Sequence, residues 1–277
     1  MKYILLLGIL IIHSGTNLIA QSASDNLKPK MKKVKEILYI AKNGELKSRE
    51  NIFNSNIFSY VIMAFDKNEK EIENGRYEKD GSLFEKTIYL RNEKGNIIKA
   101  MKKNSLNEIK NYSTYEYDSD NNMIEVKTYD SQNNLTNIES NKYDSNGNNI
   151  ETLLKSTENG KGWKYVDKYN LENKKIEEFT YRPDGSLSER RTYSYDKDGN
   201  ENIQFMFKPN GSYKKFVSEY DKMNNLILQN WYNEKDEQTH QTSFEYVYDK
   251  NGNWITKKRS SNGVLNMVLE RQIEYYK

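Results

Sequence analysis

The stretch Thr192 to Ile203, TYSYDKDGNENI, sets two tyrosines one residue apart ahead of an Asp-Lys-Asp-Gly-Asn run. Aromatics at i and i+2 fall on one side of a pleated strand. Asp followed three positions later by Gly reads as a turn, because a short carboxylate can cap the turn backbone and Gly takes a left-handed conformation without strain. The stretch is therefore the end of one strand, a hairpin loop and the start of the next strand.

Working outward, the slot of Gly199 recurs at Glu69, Gly95, Asn121, Gly147, Asn173, Asn224 and Gly252, with a step of 26 residues from Glu69 to Gly199. A fixed period of this size marks a repeat architecture. Gly and Asn are the residues that adopt a left-handed conformation most cheaply. Asp precedes the slot by three at Asp66, Asp118, Asp144, Asp196, Asp221 and Asp249, and the spacing predicts a four-residue loop on a type I turn. Between these long turns lies a shorter kind, YEKDGSL (77–83), YDSQNNL (129–135), YRPDGSL (181–187) and FKPNGSY (207–213), read as three-residue loops with a bulge at the fourth position.

Register follows from the loop lengths. A four-residue loop sets the aromatic two before the Tyr-Asp junction opposite Ile72, Ile98, Ile124, Ile150, Ile176, Asn202, Ile227 or Ile255. A three-residue loop sets Tyr77 against Leu83, Tyr129 against Leu135, Tyr181 against Leu187 and Phe207 against Tyr213. On this reading both sets of apolar pairs share one buried face, while Glu116, Glu125, Lys142, Glu151, Lys168 and Glu177 form the solvated one. The fold class expected is all-β, with tandem double-hairpin repeats of about 26 residues forming one long antiparallel, curled or spiral sheet of about eighteen strands. No 3.6-residue period is sustained, so helix should be nearly absent.

Composition bounds the rest. Residues 1–20 combine Lys2, an apolar run from Ile4 to Ile12 and small residues up to Ala20, which reads as an export signal too short to span a membrane. Residues 21–35 are read as a flexible lead and residues 36–277 as the repeat domain. The product is then exported, periplasmic or secreted, with no membrane span after signal removal. The absence of Cys excludes disulfides, thiolate metal sites and a lipid-bearing cysteine. With 43 basic and 40 acidic residues, nothing favours nucleic acid.

At YEYDSDNNMIE, KYDSNGNNIE, YSYDKDGNEN and YVYDKNGNWI the chain resembles the YD-repeat, or Rhs-like, family of bacterial exported proteins. The resemblance spans about residues 36 to 277, with departures at Leu90-Arg91 and Tyr169-Asn170. It implies an antiparallel sheet that curls on itself, and it brings an association of some relatives with carbohydrate.

The chemistry expected is sparse. Past the signal, His240 is the one histidine, next to a turn, and reads as a surface residue. The Asp-rich turns contain alternate oxygen ligands but never a complete calcium loop with its terminal Glu, so no metal and no cofactor is expected. Leu226, Leu228, Val247 and Trp254 break the charged pattern of their face and are the candidate binding cluster, either a docking surface or the place where the sheet meets itself. The turn positions Gly95, Asn121, Gly147, Asn173, Gly199, Asn224 and Gly252, with Asp118, Asp144, Asp196, Asp221 and Asp249, are structural. The function expected is non-enzymatic binding of a carbohydrate or protein partner at the cell envelope. The alternative is a carboxylate-dependent hydrolase of cell-surface polymers.

Overall fold

The computed structural model describes residues 29–42, 45–48 and 60–277. The signal reading, residues 21–28 of the lead and the insertion 51–58 lie outside the described residues. Nineteen strands follow one another: β1 (Met31–Lys42), β2 (Glu45–Ser48), β3 (Tyr60–Phe65), β4 (Glu71–Tyr77), β5 (Leu83–Arg91) and β6 (Ile97–Asn104). Next come β7 (Ile109–Tyr117), β8 (Met123–Asp130), β9 (Leu135–Tyr143), β10 (Asn149–Ser156), β11 (Gly162–Tyr169) and β12 (Lys175–Tyr181). The last are β13 (Leu187–Tyr195), β14 (Glu201–Phe207), β15 (Tyr213–Tyr220), β16 (Leu226–Tyr232), β17 (Gln238–Tyr248), β18 (Trp254–Ser261) and β19 (Val264–Tyr275). Among the described residues there is no helix.

From β3 onward each strand pairs antiparallel with the next, and β1 pairs with β19 from Met31↔Tyr275 to Ile40↔Met267. The other edge of β1 takes β3 along Lys33–Ile37 and β2 along Tyr39–Lys42, so these two short strands share one place in the ring. The sheet is a closed barrel with eighteen places, and the expected curled or spiral sheet is corrected. The closing strand β1 reaches into residues 31–35, which the sequence assigned to a flexible lead, and Val34 there is only 3% exposed. Closure removes both free edges, which would otherwise recruit other chains.

The two kinds of turn prove to be one. In the long turn the N–H of Asn121 donates to the carbonyl of Asp118 and the N–H of Asp118 to that of Asn122; in the short turn Gly81, Glu78 and Ser82 repeat the pattern. Both are three-residue loops whose third residue is left-handed, with φ of +84° at Gly95, +65° at Asn121 and +86° at Gly199. The four-residue loop expected for the long turns is thus replaced by the shorter one, and a second irregularity follows it. Tyr117 faces Met123 and Glu116 faces Glu125, which leaves Ile124 as an extra residue. Ile72, Ile98, Ile150, Ile176, Asn202, Ile227 and Ile255 occupy the same bulge in the other long hairpins.

The bulge divides the single face on which both sets of apolar pairs were expected: the long-turn tyrosines stay on the face opposite to Glu116, Lys142 and Lys168 as expected, and the short-turn pairs move to the charged face. Val126, not Ile124, lies opposite Tyr115, so Tyr129, three residues further on, points the other way. The short-turn pairs Tyr77↔Leu83, Tyr129↔Leu135, Tyr181↔Leu187 and Phe207↔Tyr213 form as expected. They lie on the face of Lys127 and Glu177, where Tyr112 and Tyr129 stack at 4.8 Å. The long-turn tyrosines lie on the opposite face.

That opposite face is the inner one. Glu116, Lys142, Lys168, Ser194, Glu219 and Val247 splay outward and are exposed, whereas their neighbours Tyr115, Asn141, Asp167, Tyr193, Ser218 and Tyr246 crowd together half-buried or buried. The outer face is laced by ion pairs such as Lys142–Glu151 at 2.7 Å, Lys164–Glu151 at 2.8 Å and Lys168–Glu177 at 2.8 Å. Eighteen places at ordinary strand spacing and tilt give a backbone diameter of roughly 35 Å, too wide for opposite walls to touch. Accordingly, no large side chain among the described residues falls below 2% exposure, and Leu154 and Trp163, inside the short-turn mouth, are each 39% exposed. The barrel is hollow.

Candidate functional site

The inner wall begins at the long-turn rim with a ladder of tyrosines. Tyr117 donates its hydroxyl to the carbonyl of Ile97, Tyr143 to Met123, Tyr169 to Asn149, Tyr195 to Lys175 and Tyr220 to Glu201, at 2.7 to 2.9 Å. Each accepting carbonyl belongs to the residue before the bulge, where the ladder of backbone bonds is interrupted. Arg91, which stands in the tyrosine position, donates to the carbonyls of Glu71 and Gly95 at 3.0 Å and so does the same work.

Below this rim, β11 to β14 carry a connected group of polar side chains. Lys175 Nζ lies 2.6 Å from Asp167 Oδ2 and 3.2 Å from Glu178 Oε2, and Tyr193 donates to the same Glu178 oxygen at 3.4 Å. Arg191 Nε donates to Glu189 at 2.6 Å, and Glu201 stands on the next strand. Burial pushes the Asp167 carboxyl up despite the ammonium beside it, and burial likewise raises Glu201. Burial works against the charge of Lys175, but its bond to Asp167 and the charge of Glu178 outweigh this and hold its pKa above the ordinary value. The two partners of the pair thus move in the same direction: the lysine remains firmly charged, and the carboxylate is desolvated more than one ammonium offsets. Tyr169 is pushed up to about 12, first by burial and then by Asp167.

Two buried acceptors at this place, Asp167 Oδ1 and Asn149 Oδ1, lack a donor in hydrogen-bonding geometry, because the Tyr169 hydroxyl beside Asp167 is committed to the Asn149 carbonyl. The Asn149 carbonyl takes the hydroxyl of Tyr169, which stands two residues beyond Asp167 on β11, and Asn149 Nδ2 donates to Asn141 at 3.0 Å. A buried acceptor without a donor is costly, and hydroxyl groups are suited to supply one.

The sequence signal for this group was available. The inner position two before the Tyr-Asp junction reads Tyr89, Tyr115, Asn141, Asp167, Tyr193 and Ser218, and Asp167 is its one carboxylate. The candidate cluster chosen from sequence is divided between the walls. Trp254 and Leu226 face inward, where Trp254 meets Tyr246 at 6.4 Å and the Leu226 carbonyl accepts the Tyr246 hydroxyl at 3.0 Å. Leu228, opposite Glu219, and Val247, opposite Thr256, face outward. His240 lies on the inner wall, 5.0 Å from Trp231. The turn carboxylates are occupied by the backbone: Asp118, Asp144, Asp196, Asp221 and Asp249 each accept the N–H groups two and four residues on. Among the described residues no group of His, Asp and Glu is arranged to hold a metal.

No family model matches the chain and no curated protein matches it. Among solved structures it is similar to a porin-like protein from Bacteroides uniformis, with a TM-score of 0.47 and 9% identity over 89% of this chain and 99% of that one. It is also similar to the Tc holotoxin pore of Photorhabdus luminescens, with a TM-score of 0.32 and 10% identity, where 87% of this chain matches 17% of that one. A complex of TcdB2, TccC3 and Cdc42 gives 0.29 and 13% identity, with 14% of that chain covered. At these scores the likeness carries no inference about activity.

Proposed function

We propose that the chain is an exported, non-enzymatic barrel that holds a hydroxyl-rich ligand, a carbohydrate in the first instance, against the inner wall of β10 to β14. The observation that carries this reading is the pair of buried acceptors without a donor, Asp167 Oδ1 and Asn149 Oδ1, beside Tyr193, Glu178 and Lys175. The signal-like residues 1–20 support export, and the repeated Tyr-Asp turns support a place among YD-repeat proteins. The outer wall favours water on both sides of the barrel, because a lipid-facing surface needs an apolar band of about 25 Å. Here Glu151, Lys164, Glu177 and Arg190 occupy mid-strand outward positions.

The test is equilibrium binding of the purified protein to envelope oligosaccharides by calorimetry. Asp167→Asn and Tyr193→Phe are expected to weaken binding while the circular dichroism spectrum is kept, and the ligand should be recovered uncleaved. Cleavage abolished by Asp167→Asn or by Glu178→Gln alone would replace this reading with that of a hydrolase.

A further inference from the structure

A second inner zone lies on the wall formed by β17, β18, β19 and β1, and its chemistry is the reverse of the first. Register turns Lys257 and Arg259 of β18 and Arg271 of β19 toward the lumen, beside Phe244 and Tyr246 of β17 and Trp254 of β18. The Arg271 guanidinium lies over the Trp254 ring, 3.4 Å from its centre. Lys257 Nζ stands 4.7 Å from the centre of Phe244 and 5.5 Å from that of Tyr246. Arg259 is held by Asn266 at 2.9 Å.

Three cations are thus fixed on adjacent strands by aromatic faces and an amide, which position a charge without neutralising it. Among the described residues of β16 to β19, β1 and β3, Glu36 is the one carboxylate that register turns inward, and it meets Arg271 at 2.9 Å. Burial lowers the pKa of Lys257, Arg271 and Arg259 push it the same way, and the charge of Glu36 offsets this only in part. A partly desolvated cluster of three cations with one anion is strained until a further anion arrives. Guanidinium groups match the paired oxygens of a carboxylate, sulfate or phosphate.

We propose that Lys257, Arg259 and Arg271 form an oxyanion-binding site on the inner wall, and that the barrel's ligand carries a carboxylate, sulfate or phosphate group that docks there. This rests on the reading of the lumen as a ligand chamber and extends it to an acidic saccharide. The experiment uses the purified protein with trigalacturonate, maltotriose and sodium sulfate as separate probes, followed by calorimetry and tryptophan fluorescence. The wild type should bind trigalacturonate, and the Lys257→Gln/Arg259→Gln double variant should bind it roughly tenfold more weakly or worse, since hydrogen bonds to charged groups are lost. Arg271 is left in place because it covers Trp254. Glu36→Gln should move affinity the opposite way, by releasing Arg271, and this keeps the proposal testable if the double variant folds poorly. Sulfate that competes fully with trigalacturonate would identify a site for the oxyanion alone; partial competition would place the sugar in contact as well. Equal binding of trigalacturonate by wild type and double variant would overturn the proposal. So would binding of maltotriose alone, which leaves the ligand chamber intact, whereas failure of both sugars to bind would sink the chamber with it.

Discussion

At Tyr143 a single hydroxyl explains why tyrosine rather than phenylalanine stands before the turn aspartate. Tyr143 lies on the inner wall, where phenylalanine would fill the same space, but only tyrosine can donate to the Met123 carbonyl at the bulge. Tyr143→Phe is expected to cost about 1 kcal/mol, the usual net contribution of such a bond, and urea denaturation will measure it. The left-handed residues make the complementary point. Gly199 has φ of +86°, and the nearest atom to an added Cβ would be Lys174 Nζ at 3.6 Å, so there is room for a side chain. Gly199→Val should nonetheless destabilise by roughly 1 to 2 kcal/mol, through backbone strain alone. A loss near zero in the same denaturation experiment would contradict that account. Asp144 shows how the turn is held: its carboxylate accepts the Nδ2 and backbone N–H groups of Asn148, and these hold its pKa below the ordinary value.

At the scale of the strand, the positions of the turns were legible and the register of the long hairpins was not. Asp118 and Asn121 announce their turn because it depends on neighbours in sequence. Ile124 gives no such notice: an isoleucine reads as a paired strand residue, and only the opposing strand reveals it as the extra one. Because one misplaced residue exchanges the two faces, the tyrosines of the long turns were assigned to the wrong partners while Tyr129 and Leu135 were paired correctly. The same limit hid the closing strand, since β1 and β19 are separated by most of the chain and no turn residue advertises their pairing. Val34 in β1 is buried to 3% and faces Ile273 and Met63 in its two neighbours. Val34→Ala should therefore cost about 2 kcal/mol, more than the same change at the exposed Val247, a difference that parallel thermal melts will resolve.

For the whole molecule, tyrosine ionisation sets the alkaline limit. Burial, ahead of nearby carboxylates, pushes Tyr89, Tyr169, Tyr246 and Tyr248 up to about 12, against an unfolded value near 10. A raised native pKa contributes stability that is complete below the unfolded value and is lost as pH rises through the native one. Unfolding is therefore expected to begin between about pH 10 and 12, in step with phenolate absorbance; ionisation of these groups well before loss of the strand spectrum would argue against their burial. The polar network of Asp167, Lys175, Glu178 and Tyr193 belongs to this scale too, for it joins three strands on one interior wall. Closure has a last consequence. In a ring of like staves the place where the cooper starts is arbitrary, and here Met31 lies directly against Tyr275. If residue 277 is joined through a short glycine linker to residue 29 and the chain is cut between Asp120 and Asn121, the rearranged protein should assemble into the same vessel, with one cooperative melt and the parent's spectrum.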